Sequence, residues 1–278
     1  MTLINGLSID VEEWFCVSNF APACPPESWA AQPSRIEEPT RLLLRILAEH
    51  KVRATFFVLG WVGERHPDLL REIAAAGHEL ATHGYGHELA YSMTPDQFRA
   101  DLDRSIEILR QAAGVSPLGY RAPSFSARLD QAWFWEALAA AGLRYDSSVF
   151  PVRHARYGAN PSASRFAFTV NTSRGPLVEL PPATMRRAGR NIPVAGGGYL
   201  RLYPYSLTHW AIRRLNADGH PAIVYCHPWE FDPGQPKPPG IGRLTIWRHR
   251  VGLPVMAERL HRLLGDFAFG PLREIAGV

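Results

Sequence analysis

Lysine is almost missing from this chain of 278 residues: only Lys51 and Lys237 occur, so nearly all of its 30 basic residues are arginine. The formal net charge is +4 and the pI about 9.1. An arginine excess can mark a surface for nucleic acid or anionic lipid. Here Asp and Glu are interleaved almost everywhere, no like-charge block exceeds a few residues, and no zinc-finger, RNA-recognition or basic-zipper pattern occurs. Nucleic acid is therefore not an expected partner, and a solvated arginine-rich surface is. Cysteine is scarce as well. Cys16, Cys24 and Cys226 are odd in number and form no Cys-x-x-Cys, which argues against a disulfide framework and points to a reducing compartment. No apolar run approaches the ~20 residues of a membrane span. Residues 2–9 lack the basic start and small-residue cleavage site of a signal peptide. The expectation is a cytoplasmic protein. With 46% hydrophobic and 20% charged residues, the chain has the composition of a folded protein with a real core.

Strands are expected at residues 3–10, 54–59, 78–82, 119–123, 144–149, 177–180 and 222–226, with 54–59 a near-continuous apolar run. Helical spacing appears at 39–50, 67–76, 94–113 and 130–141. Pro39 suits a helix start, Gly77 and Gly142 suit helix ends, and Thr94-Pro95-Asp96-Gln97 has the form of a capping box. Strands alternating with helices indicate βα units around a parallel sheet, an α/β fold. Residues 151–176, 181–198 and 228–242 read as irregular loops. The length is assigned to one catalytic domain, residues 1–230, with a C-terminal elaboration, residues 231–278.

Ionisable residues recur where these strands end: Asp10, Glu12 and Glu13, then His83 and His87, Arg121, Asp146 and His227. In βα barrels the strands' C-terminal ends build the active site. His83 and His87 lie four apart with Gly84 and Gly86 between and beside them, so a turn rather than a helix must bring them together. With a carboxylate from the first strand they make two histidines and a carboxylate with an open position. That is a catalytic zinc arrangement which iron, cobalt, manganese and nickel also accept. Along a strand residues i and i+2 share a face, so Asp10 and Glu12 point together while Val11 points away. Glu12 is the expected ligand and Glu13 the reserve, otherwise a solvated loop carboxylate. Arg121 and Asp146 also read as ordinary ion-pair partners.

Five ordered segments resemble the NodB-homology polysaccharide deacetylases, carbohydrate esterase family 4. They are Ser8-Ile9-Asp10-Val11-Glu12-Glu13, Thr82-His83-Gly84-Tyr85-Gly86-His87, Gly119-Tyr120-Arg121-Ala122-Pro123, Tyr145-Asp146-Ser147-Ser148 and Val224-Tyr225-Cys226-His227-Pro228. The Asp-Val-Glu-Glu opening, the His-Gly-Tyr-x-His form and the long C-terminal part resemble the bacterial subgroup of exopolysaccharide loci. The resemblance implies a distorted (β/α) barrel of about seven parallel strands and a metal-dependent hydrolase that removes N-acetyl groups from a polysaccharide or its precursor. It implies Asp10 as base, oriented by Arg121; His83 and His87 as metal ligands; His227 as the acid for the leaving amine, with Asp146 orienting it; and the Ser124 backbone N–H as oxyanion donor. The cofactor implied is a divalent ion, zinc first, with Co2+, Ni2+, Mn2+ or Fe2+ as substitutes. The family's commoner text has a second aspartate where this chain has Val11.

Trp14 and Trp229 flank this site and are expected as sugar platforms, whereas Trp133 and Trp135 belong to a helix core. Gly196-Gly197-Gly198 lacks the following Lys-Ser/Thr of a phosphate loop and reads as a mobile or close-approach loop. Two rival functions stand beside the deacetylase: a C–N hydrolase on a small cyclic amide, and a degenerate glycan-binding or assembly protein. The expected partner is an N-acetylated glycan or a lipid-linked oligosaccharide at the inner face of the membrane. Arg243, Arg248, Arg250, Arg259 and Arg262 would favour peripheral contact with anionic lipid there.

Overall fold

A computed structural model describes residues 3–153, 163–194 and 196–278. In chain order it contains β1 (Asn5–Val11), α1 (Glu37–Glu49), β2 (Thr55–Val58), α2 (Gly60–Arg65), α3 (Pro67–Ala75), β3 (Glu79–Thr82), α4 (Pro95–Ala113) and β4 (Gly119–Tyr120). Then come α5 (Ala132–Ala140), β5 (Tyr145–Asp146), β6 (Phe168–Thr172), β7 (Gly175–Glu179), β8 (Thr184–Arg187) and β9 (Arg190–Pro193). The chain continues through α6 (Gly197–Leu202), α7 (Tyr205–Ala217), β10 (Ile223–Cys226), α8 (Arg243–Arg250), α9 (Met256–Asp266), β11 (Phe269–Gly270) and α10 (Leu272–Ala276).

The main sheet runs β10-β1-β2-β3-β4-β5-β7-β6. Its first seven strands are all parallel to one another, and β6 closes the edge as an antiparallel hairpin with β7. This is the curled α/β half-barrel that the sequence leads one to expect. Residues 180–196 cross between β7 and β10: Ala183 N donates to Ile223 O (3.0 Å), and Gly196 pairs with Tyr225.

β1 shows how the alternation places chemistry. Leu7, Ile9 and Val11 point into the core cluster shared with Leu43, Ile46 and Leu47 of α1. Ser8 and Asp10 point the other way and bond Arg121 inside the barrel. The two-residue period thus puts apolar side chains under the helices and polar ones in the mouth. α4 begins on the expected capping box: Gln97 N donates to Thr94 Oγ1 (3.3 Å) and Thr94 N donates to Gln97 Oε1 (2.8 Å). It ends at Gly114, whose φ is +67°.

Two stretches read as irregular contain strands. β6 lies within 151–176, and the β8–β9 hairpin within 181–198. Both are antiparallel ribbons whose residues are mostly half-buried or exposed, so they lack the continuous apolar run of the central strands. Part of the first stretch, residues 154–162, lies outside the described residues. The last forty residues share the main core. Leu260, Leu263 and Leu264 of α9 join the cluster of Leu43 and Leu47, and β11 pairs with the start of β1, Asn5 opposite Phe269. Cys16, Cys24 and Cys226 are buried free thiols. No helix among the described residues is long and apolar enough to cross a membrane.

Candidate metal centre

Glu12, His83 and His87 offer one carboxylate oxygen and two imidazole nitrogens, all within 4.8 Å of one another. Glu12 Oε2 is 2.7 Å from His87 Nε2 and 3.9 Å from His83 Nε2. The donor set fits a divalent ion, and the local bonding prepares it. Arg121 O can only accept, so His83 Nδ1 carries the proton and donates to it at 2.7 Å, leaving the Nε2 lone pair facing Glu12. Burial pushes the His83 pKa down to about 4, which keeps the ring neutral. Burial opposes charge on Glu12 too, but His87, His227 and His83 outweigh it and hold that carboxyl well below its usual range.

The turn between the histidines is built from backbone. Gly84 (φ +72°) and His87 (φ +56°) both take left-handed conformations. A Cβ on Gly84 would sit 2.7 Å from Asp101 Oδ2, so glycine is required twice over, by angle and by space. Asp101 of α4 receives the amides of Tyr85 (2.8 Å) and Gly86 (3.0 Å) and clamps the turn. It sits on a helix distant in sequence, with no short-range motif to mark this role.

Beside this set lies a buried ion pair. Arg121 Nη1 donates to Asp10 Oδ1 (2.6 Å) and Ser8 Oγ (2.8 Å), and Nη2 donates to Ser147 Oγ (2.8 Å). Its guanidinium stands 4.3 Å from the Phe57 ring centroid. Both partners are essentially without solvent contact. Removing one member of such a pair strands the other's charge, at a cost of about 3–5 kcal/mol.

His227 completes the constellation. Its Nε2 is 3.9 Å from Asp10 Oδ2 and 3.8 Å from Glu12 Oε1. Its Nδ1 meets Glu230 Oε2 at 3.1 Å. Burial lowers the His227 pKa, but the Glu230 hydrogen bond and the carboxylates of Glu12, Glu230 and Asp10 more than offset it and raise it to about 9. Glu230 is itself gripped by Arg201 Nε (2.8 Å). Gly197 packs so closely that a Cβ there would lie 1.6 Å from Glu230 Oε2, which makes the glycine run a close-approach segment.

Four sequence expectations change. The carboxylate on His227 Nδ1 is Glu230, whereas Asp146 is engaged elsewhere: Ser148 Oγ donates to Asp146 Oδ1 (2.6 Å) and accepts from Ala122 N (2.7 Å). Asp146 therefore braces the loop after Arg121. The signal for Glu230 was present in His227-Pro228-Trp229-Glu230, where His227 N donates to the Glu230 carboxylate (3.0 Å) in a capping-box spacing. Glu13 is buried rather than solvated. It accepts from Ser34 Oγ and the Arg35 amide and lies outside the metal-donor set, and burial raises its pKa. Trp14 is packed edge-on against Phe15 and Phe20, with Nε1 donating to Pro33 O, so it offers no face to a sugar. Trp229 is also buried. Its ring lies nearly parallel to His227 (5.0 Å) and His249 (4.3 Å), and its Nε1 donates to Glu12 Oε1 (3.2 Å), so it braces the centre rather than forming a platform.

Ser124, just past Arg121-Ala122-Pro123, is left-handed (φ +53°), as is Phe125 (φ +52°). Two consecutive non-glycine residues in that region cost energy, and such strain clusters at functional loops. Ser124 Oγ meets Ser18 Oγ at 2.9 Å.

Residues 31–145 match the family model described as polysaccharide deacetylase, and residues 147–277 match a domain of unknown function, DUF3473. The peptidoglycan-N-acetylglucosamine deacetylase of Bacillus cereus is 36% identical over 84 residues, 30% of this chain and 30% of that protein. The peptidoglycan deacetylase of Helicobacter pylori is 34% identical over 109 residues, 38% of this chain and 36% of that one. The chain thus spans about a third of the length of these curated relatives. A solved structure from Mycobacterium smegmatis, described as a candidate polysaccharide deacetylase, shares the fold: TM-score 0.63 at 24% identity, covering 100% of this chain and 93% of that one. The class defined here is an α/β half-barrel with a carboxylate–histidine–histidine centre. Residues 31–145 are thus similar to polysaccharide deacetylases, and the rest of the chain matches the domain of unknown function.

Proposed function

We propose that this chain is a divalent-metal-dependent hydrolase that removes N-acetyl groups from N-acetylhexosamine units of a polysaccharide or its precursor. The observation that carries the reading is the Glu12–His83–His87 donor set, with the Asp10–Arg121 pair and the His227 imidazole gathered beside the same carboxylate. Matches to deacetylases of bacterial cell walls add to it. A bound divalent ion supplies Lewis acidity toward the acetyl carbonyl and lowers the pKa of a water to ~7, and zinc suits this donor set.

The chain's own residues do the rest. Arg121 occupies Asp10 Oδ1, which leaves Oδ2 to take the proton of the attacking water. The Ser124 N–H donates to the oxyanion as it develops. His227, charged and turned by Glu230, gives its proton to the departing nitrogen. Where the family's commoner text has a second aspartate and this chain has Val11, Glu12 offers a carboxylate to the same donor set, which favours a catalytic over a purely glycan-binding protein.

The Asp10-Val11-Glu12-Glu13 opening and the long C-terminal part favour an exopolysaccharide-type substrate. On α8, Leu244 and Trp247 are more than half exposed between Arg243 and Arg248, which favours peripheral contact with anionic lipid and a lipid-linked precursor. Sedimentation with liposomes checks that part: binding that ignores anionic lipid content overturns it. For the reaction, zinc-loaded protein is expected to release acetate from N-acetylated oligosaccharides, and Asp10→Asn to abolish release while zinc content is kept. No acetate from chitin, peptidoglycan or exopolysaccharide fragments sinks the proposal.

A further inference from the structure

The matched deacetylase segment stops at residue 145, and the chemistry above uses few residues of the stretch that follows. From residue 147 to 217 the chain carries ten arginines, no lysine and a single carboxylate, Glu179. Glu179 is fully buried and accepts from the Val149 amide, so no acid of this stretch reaches the surface. The interleaving of acids and bases seen in most of the chain fails here.

The fold gathers part of that excess. β8 and β9 form a ribbon with Arg187 opposite Arg190, turned through Ala188 (φ +47°) and Gly189 (φ +75°). Two successive left-handed residues make the tight turn that matches ribbon twist, so the arginines sit on a short stiff hairpin. Asn191 Nδ2 donates to Pro151 O (2.7 Å) and ties the hairpin to the chain leaving β5. Between the two lies a cavity of about 930 Å³, lined by Arg153, Arg186 and Arg190 with no acidic side chain among the lining residues. Arg165, anchored on Thr184 O (2.6 Å), feels the same crowding: burial and the charge of Arg186 push its pKa down.

One apolar cluster lies between the cavity and the metal centre. Val152 on its wall packs with Phe125, Phe150 and Tyr225. Phe125 follows Ser124, and the Tyr225 ring lies 5.7 Å from that of His227.

We propose that Arg153, Arg186 and Arg190 form a subsite for an oxyanion carried by the substrate glycan, a sugar carboxylate or phosphate near the N-acetyl group that is cleaved. Guanidinium forks match both groups with paired hydrogen bonds. That the anion belongs to a substrate glycan rests on the deacetylase reading; the anion site itself stands on the cavity alone. Among the described residues no aromatic ring lines the cavity, which sets it apart from the stacking platforms of single-strand nucleic-acid sites.

The test is calorimetric titration of the metal-loaded full chain and of an Arg186→Gln/Arg190→Gln variant. The probes are a hyaluronan tetrasaccharide (carboxylate), N-acetylglucosamine 1-phosphate (phosphate), neutral chitotetraose and a ten-nucleotide thymidine strand. Both substitutions are on exposed side chains, and melting curves check that folding is kept. At least one charged sugar is expected to bind roughly tenfold or more tightly than chitotetraose, with the variant and added salt both erasing the gap. The charged sugar that shows the gap identifies carboxylate or phosphate. Acetate release from chitotetraose should be the same in both proteins. Equal binding of charged and neutral sugars, equal binding by wild type and variant, or tighter binding of the thymidine strand than of either charged sugar overturns the proposal. Charge-selective binding without any acetate release would leave the anion site standing and bring down the deacetylase reading instead.

Discussion

The two sides of the metal centre are held by different means. The Glu12–His83–His87 side is fixed largely by backbone, a strand end, the Arg121 carbonyl and a glycine turn, with the Asp101 carboxylate and Trp229 Nε1 as its side-chain supports. The His227 side is fixed by side chains: Glu230, Arg201 and the Trp229 ring. A backbone cradle survives changes among its neighbours, whereas an ion network fails when one member is lost. The metal side should therefore be robust to substitutions around it and the proton-donating side fragile.

The largest break comes from the ligands themselves. Glu12→Gln is expected to remove most bound zinc, measured by elemental analysis of the purified protein, and with it all activity. Zinc retained at full stoichiometry would contradict the ligand assignment. Next is Glu230→Gln. On the comparison above it lowers kcat by about 10–100-fold with zinc content unchanged, in line with the loss seen when a residue orienting a functional imidazole is removed. It also leaves Arg201 buried without its partner, about 3–5 kcal/mol of destabilisation visible as a lower Tm. A parallel fall in zinc content would show that the two sides are not separable.

Gly197→Ala sharpens the comparison within the fragile side. Its methyl would meet Glu230 at 1.6 Å, whereas the same change at Gly198 meets nothing within 4 Å. The first is expected to lower Tm and kcat together and the second neither, measured side by side. The smallest effect belongs to neither side. His78 Nδ1 accepts from Ala54 N (3.2 Å), and burial, with Arg53 adding to it, lowers its pKa to about 4. The unfolded chain then binds the extra proton first, so stability is full above pH ~6.5 and declines as pH falls toward 4. Denaturant melts of the zinc-free protein across that range should show the decline, and His78→Gln should lessen it without abolishing it, because buried His83 titrates in the same window.

Much of the metal side was legible because its signals are local. The parity of β1 placed Asp10 and Val11 on opposite faces, and the glycines of Thr82–His87 announced a turn that folds two imidazoles together. Glu12, one residue past the end of β1, still reaches the same site as Asp10. The other side is partly hidden: Glu230 is marked only by the capping-box spacing of His227-Pro228-Trp229-Glu230, whereas the family pattern points to Asp146. Asp101 is brought to its turn by the packing of α4, a tertiary fact with no sequence spacing to reveal it. For Trp14 and Trp229, proximity in sequence to a site says nothing about which face of an indole is covered. The β8–β9 ribbon carries no apolar period, because its residues are mostly charged or exposed.

The pairing of β1 has a consequence for how the molecule is made. The strand that carries Asp10 comes before every other strand described, yet its neighbours include β10 and β11, with Gly6 opposite Ile223 and Asn5 opposite Phe269. Asn5 makes side-chain bonds to Asn216 and to the Ala222 and Ala268 backbone as well. Such sequence-distant contacts slow folding, because a long chain segment must be closed before they reward it. During translation β1 can pair with β2, but one of its edges stays open until more than two hundred further residues have been synthesised. The base of the proposed reaction therefore takes its final place among the last events of assembly, and a nascent chain halted before β10 would be inert and exposed along that edge.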